Sequence, residues 1–182
     1  ATYYLGMSYY SDSCDQIAPT DAEIEAYFEK NKDSYGDIDM NEKYVDVRHV
    51  LSMPEGADSS NIRTETFSEE AWAVGEKNAQ DILNRWLSGE QTEENFAALA
   101  NETSADPGSN TAGGLYTDVT KGQMVAAFEN WCFDASRKPG DTDLVKTQFG
   151  YHVMYFVGSE ETWFTQTRSA YISNESNKIV ED

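Results

Sequence analysis

The places where strand patterns fall limit what this chain can fold into more than any other feature. Tyr44 to Ser52, YVDVRHVLS, alternates with Val45, Val47, His49 and Leu51 on one face, the period of a half-buried strand. Two more short strands are predicted much later, Asp143–Thr147 and Tyr151–Val157, joined across Gln148-Phe149-Gly150 as a hairpin. Between them the apolar period is helical. Glu69–Leu87 sets Trp72, Ala79, Ile82, Leu83, Trp86 and Leu87 near one side, with Gly89 as its stop. Glu93–Asn101 buries Phe96, Leu99 and Ala100, and Lys121–Trp131 carries Met124, Ala127, Phe128 and Trp131. A strand, then helices, then a terminal hairpin predicts an α+β fold, a small antiparallel sheet covered by helices.

The flanks read differently. The first nineteen residues are rich in Tyr, Ser and Asp and carry no period. Thr20-Asp21-Ala22-Glu23 fits a capping box, and Ile24, Tyr27, Phe28 and Tyr35 fall near one face of a helix from Asp21 to Ser34. Gly36 and Asp37–Lys43 form a linker. Pro54–Ser68 is a polar connection in which Arg63 stands alone against Glu55, Asp58 and Glu65. Ala105–Gly114, with Asp-Pro-Gly-Ser-Asn and Gly113-Gly114, is turn chemistry. Glu160–Asp182 is weakly helical, anchored by Trp163, Phe164, Tyr171, Ile172 and Ile179.

Charge narrows the partners. Thirteen basic residues against 33 acidic give a net charge of −20, a field that repels nucleic acid and anionic membrane surfaces. At 39% hydrophobic content the chain still has the apolar surface for a core. Its longest apolar run, Val153–Val157, is far short of the ~20 residues of a membrane span. No signal-peptide pattern precedes Ala1, which decides nothing about the compartment. Cys14 and Cys132 exclude a thiolate zinc site; one long-range bridge or two free thiols remain open.

Four motifs occur in order from Tyr44 to Gly158: Arg48-His49-Val50-Leu51; Phe96-Ala97-Ala98-Leu99-Ala100 followed by Ser104-Ala105-Asp106; Gly113-Gly114 with Gly122-Gln123-Met124 and Phe128-Glu129; and Thr147-Gln148-Phe149-Gly150-Tyr151-His152-Val153. Together they resemble the parvulin-type peptidyl-prolyl cis–trans isomerases. Pro19-Thr20-Asp21-Ala22-Glu23-Ile24 and the following AYFEKNKDSY resemble the segment before the isomerase domain in secreted PrsA- and SurA-type foldases. The resemblance implies three parts: a helical chaperone-like flank over 1–43, an isomerase domain over 44–158 and a helical flank over 159–182.

It also implies a site. His49 and His152 would lie side by side on adjacent strands, each fixing the other's tautomer, with Thr147 completing the network behind them. Asp106 would bias the electrostatics around the substrate carbonyl. Met124 and Phe128, at i, i+4 spacing on one helix face, would grip the proline ring beside Gln123 and Tyr116. Two His and one Asp also suit a non-haem iron triad, but the strand context of the histidines has the fuller explanation in the isomerase. No cofactor and no metal are expected.

Two departures from the family pattern stand out. Tyr116 takes a place where the family usually has Leu, so the loop by the pocket is altered. The connection after the first strand lacks the basic cluster of phosphate-directed parvulins, so phosphate-directed specificity is not expected. The expected partners are unfolded or partly folded polypeptides with X–Pro bonds. The expected location is extracytoplasmic, with anchoring by a segment absent from this chain. The alternative is a holdase-type chaperone whose isomerase fold is weak or inactive.

Overall fold

The structure, a computed structural model, describes residues 17–181. The Tyr-rich start and Cys14 lie outside them. The described chain divides into two compact units. One holds residues 44–159, and the other joins the segment up to Lys43 to the segment from Glu160.

The larger unit is built on a four-stranded sheet in the order β2-β1-β4-β3, with β1 Lys43–Ser52, β2 Leu115–Val119, β3 Thr142–Thr147 and β4 Gly150–Glu161. It is antiparallel, in keeping with the α+β expectation. β3 and β4 form the hairpin, in register from Thr142–Tyr155 to Thr147–Gly150. β2 was not foreseen. Its five residues LYTDV form a short edge strand in which only Val119 is fully buried, so no alternation announces it. The β1–β2 register shifts between Val45 and Val47.

Each face of the sheet has its own core. Helices α2, Glu69–Leu87, and α3, Glu93–Thr103, cover one face, where Ala79, Trp86, Phe96, Leu99 and Ala100 pack with Val50, Val153 and Tyr155. Ser68 and Thr92 cap these helices by accepting from the backbone N–H of Ala71 and Asn95. Leu87, expected on the buried side, is 44% exposed. The helix ends there, and Trp86, one step round the helix, turns inward and donates Nε1–H to the Thr92 carbonyl at 3.2 Å.

Helix α4, Ala126–Cys132, covers the other face, where Phe128, Trp131 and Cys132 meet Val45, Val47, Met154 and Phe156. The expected helix from Lys121 to Trp131 is therefore shorter, and Met124 is not on it. Gly122 sits at φ +90° and Val125 is an extended N-cap, so the chain turns before the helix begins. Cys132 is a free, buried thiol, which burial pushes up to about 12.

In the smaller unit, α1 spans Asp21–Asn31 and continues as a 3₁₀ turn over Lys32–Ser34, while α5 spans Thr162–Glu181. The capping box at Thr20 and Glu23 forms in both directions. Residues 159–161, expected in the helical flank, are the end of β4. The two helices share their aromatic residues: Phe28 lies 4.7 Å from the Trp163 ring and Tyr27 5.5 Å from Tyr171. Arg168 on α5 pairs with Glu160 at the end of β4.

Candidate active site

The site lies on the α4 face of the sheet, one pleat beyond the core. Val47 and His49 alternate on β1, as Met154 and His152 do on β4, so both imidazoles continue a buried stripe. His49 is 3% exposed and His152 4%. Their rings stack at 5.1 Å with Nδ1 facing Nδ1 at 3.0 Å. Phe128 stands edge-on to both, at 5.3 and 5.4 Å.

Polar groups extend this pair in both directions. Beyond His152, Thr147 at the end of β3 places Oγ1 2.8 Å from Nε2 and accepts from the Phe149 N–H. Beyond His49, Nε2 faces Asp106 Oδ2 at 2.9 Å. With both rings neutral the donors run one way. Thr147 O–H donates to His152 Nε2, His152 Nδ1–H to His49 Nδ1, and His49 Nε2–H to the carboxylate.

Electrostatics fix the two ends of this network more firmly than its middle. Burial, helped by the charge His49 carries when protonated and opposed by Asp106, drives His152 down to about 3, so it stays neutral. Burial alone would raise Asp106. The hydrogen bonds of His49 and Ser109, the His49 charge and the Tyr116 hydroxyl outweigh it and hold the carboxyl well below the usual range. Burial, with the bond to Asp106 and its charge, raises Tyr116 to about 12, so its hydroxyl keeps its proton.

These residues border a cleft of about 400 Å³. Its lining joins the polar His49, Asp106, Tyr116, His152 and Gln123 to the apolar Met124, Val125 and Phe128. Met124 reaches it from the turn before α4, so the i, i+4 argument fails while the convergence holds. Gln123 also caps that turn, accepting from the Thr120 N–H at 3.0 Å. Thr147 lies behind the wall, touching His152.

Several lining residues were missed from the sequence. Ile62 and Arg63 come from the polar connection after β1, and Phe149 from the hairpin loop, where Arg63 stacks on its ring at 5.1 Å. The signals were there: a lone aliphatic residue in a polar segment, and an aromatic that no tight turn requires. Ser109 was missed too; it is completely buried and donates to Asp106 Oδ2 at 2.5 Å.

A family model described as the PPIC-type PPIASE domain matches residues 34–159. The chain belongs to that family. Foldase protein PrsA of Caldanaerobacter subterraneus subsp. tengcongensis is 29% identical over 171 residues, covering 91% of this chain and 45% of that protein. Cbf2 of Campylobacter jejuni is 30% identical over 135 residues, covering 73% of this chain and 40% of Cbf2. The chain thus spans less than half the length of either relative. A chain from the structures of PEB4 and Cj1289, described as SurA-like chaperones of Campylobacter jejuni, aligns with a TM-score of 0.50 and 25% identity. It covers 99% of this chain and 65% of that one.

Proposed function

We propose that this protein is a peptidyl-prolyl cis–trans isomerase acting on X–Pro bonds in unfolded or partly folded polypeptides. The observation that carries the reading is the mixed lining of the cleft. Met124 and Phe128 offer apolar surface to a proline ring in the same cleft as the His49–His152 pair and the Asp106 carboxylate.

Such a site suits a reaction that breaks no bond. Amide resonance sets a barrier of ~18–20 kcal/mol, and the catalyst must favour the twisted amide over the planar one. The planar amide places partial negative charge on its carbonyl oxygen, and twisting withdraws it. Asp106, held as an anion at the cleft, repels that charge most when the amide is planar and so disfavours the ground state. The proline ring, held by Met124 and Phe128, is the fixed end against which the bond turns. The histidines hold Asp106 in place and take no proton from the substrate.

The relatives named foldase and the SurA-like chaperones support an extracytoplasmic folding role. The −20 charge argues against nucleic acid. Arg63 without a basic cluster argues against a required phosphate.

A prolyl tetrapeptide assay tests the reading. Burial of a proline ring is worth ~1–3 kcal/mol, so Met124→Ala should lower kcat/KM about ten- to a hundredfold. Phe128 is also core, and its truncation to Ala would cost about 3–5 kcal/mol of stability. Phe128→Leu is the cleaner variant, with a smaller loss in the same direction. A wild-type rate no faster than the uncatalysed one would leave the holdase reading in its place.

A further inference from the structure

Asp106 Oδ2 is crowded with donors. His49 Nε2 lies 2.9 Å away, the Ser109 hydroxyl 2.5 Å and the Tyr116 hydroxyl 2.9 Å, while the Gly108 N–H donates to Oδ1 at 3.2 Å. A protonated carboxyl must donate as well as accept. Three of these partners converge on Oδ2, so a proton on that oxygen displaces one of them. Ser109 is buried and also lies 3.2 Å from His49 Nε2, bridging the two partners. Gly108 makes room for the arrangement, since a Cβ there would fall 2.6 Å from the Tyr116 hydroxyl oxygen.

We propose that Tyr116 and Ser109 are positioning residues that pin Asp106 as an anion against His49, and so set the proton order of the Thr147–His152–His49 chain. The inference rests on the isomerase reading for its catalytic meaning, but the pinning itself does not. The orientation follows from the donors. When His49 carries a single proton, an anionic Asp106 places it on Nε2, which leaves His49 Nδ1 to accept from His152 and His152 Nε2 to accept from Thr147. A protonated Asp106 donating to His49 Nε2 would reverse all three. Tyr116 stands where the family usually has Leu, so this carboxylate has a hydroxyl partner that an aliphatic residue cannot supply. The substituted loop then tightens the polar wall of the site.

The other groups facing this carboxylate are few. His49 reaches it from β1 and Tyr116 from β2; His152 acts on it from β4 through His49. Arg63 lines the same cleft from the connection after β1. Among the described residues no second acid lines the cleft to share the proton.

The test follows the Asp106 carboxyl carbon by ¹³C NMR and the two imidazoles by ¹⁵N NMR across pH 2.5–8, alongside kcat/KM for the tetrapeptide. Tyr116→Phe keeps the ring that lies 5.5 Å from His49 and removes only the hydroxyl. In it, and in Ser109→Ala, the Asp106 titration and the acid limb of kcat/KM should move up by roughly one to two pH units. Gly108→Ala, which pushes the Tyr116 hydroxyl away without deleting it, should reproduce the shift and serves if Ser109→Ala fails to fold. Unchanged Asp106 titration in Tyr116→Phe and Gly108→Ala overturns the inference. Shifted titration in a protein without isomerase activity would uphold the pinning and overturn only the isomerase reading.

Discussion

At His152, burial acts on a single imidazole strongly enough to be read in the stability of the chain. Its folded value, about 3, is depressed below the ordinary 6.5, so between these limits the unfolded state binds the extra proton. The stability contributed by the neutral ring is therefore present above about pH 6.5 and lost as pH falls through that window, with a slope of up to ~1.4 kcal/mol per unit. Asp106, also depressed, adds a loss of the same sign at lower pH. Protonation of other carboxylates relieves the repulsion of a chain at −20 and works the other way. The comparison with His152→Asn isolates the ring. Urea unfolding from pH 7 to 4 should show a steep fall in the wild-type midpoint and a shallower one in the variant. Parallel curves would mean that His152 is not kept neutral by the fold.

Among elements, the periodic ones were legible and the bent ones were not. α2 announced itself by an apolar stripe and the Gly89 stop, α3 by its stripe, and β1 by strict alternation. The start of α4 was misplaced because an apolar stripe does not show where Gly122 and Val125 interrupt the helical backbone. β2 escaped because an edge strand with one buried side chain carries almost no pattern. In the site, all eight expected side chains line the cleft or touch a residue that does; seven sit in a recognisable motif, and Tyr116 follows the Gly113-Gly114 pair as a departure from one. Ser109, Ile62, Arg63 and Phe149 belong to connections, whose side chains are placed by tertiary packing. The glycine pair before β2 shows how closely element and site are joined. Gly114 has φ +70°, a Cβ on it would come 2.1 Å from the His49 carbonyl oxygen, and its own carbonyl accepts from the His49 N–H at 2.9 Å. Gly114→Ala should cost at least about 2 kcal/mol and lower the thermal midpoint by roughly 5 °C or more. Gly140→Ala shares the positive φ but meets nothing within 4 Å, so it should cost less than half as much. Equal midpoints for the two variants would show that the approach to His49 carries no strain.

Over the whole molecule, each unit holds its own apolar contacts. Both sheet cores draw all their residues from 44–159, as does the cleft. The ring pairs Phe28–Trp163 and Tyr27–Tyr171 fall entirely within the smaller unit. Neither α1 nor α5 could bury its face alone, since an isolated eleven-residue helix such as α1 is marginal in water. Together they bury Ile24 and Phe28 but leave Tyr27, Trp163, Phe164, Tyr171 and Ile172 partly open. That apolar surface, remote in sequence from the cleft, is the kind that holds an unfolded chain. A protein reduced to residues 44–159 should therefore fold, keep its tetrapeptide isomerisation nearly unchanged and lose much of its ability to suppress aggregation of a denatured client. The two assays, run on the full chain and on the reduced one, separate the roles. Loss of isomerisation would show that the larger unit depends on the smaller for its fold. Full aggregation suppression by 44–159 alone would place the client surface on the cleft-bearing unit, with the helix pair free of any chaperone role.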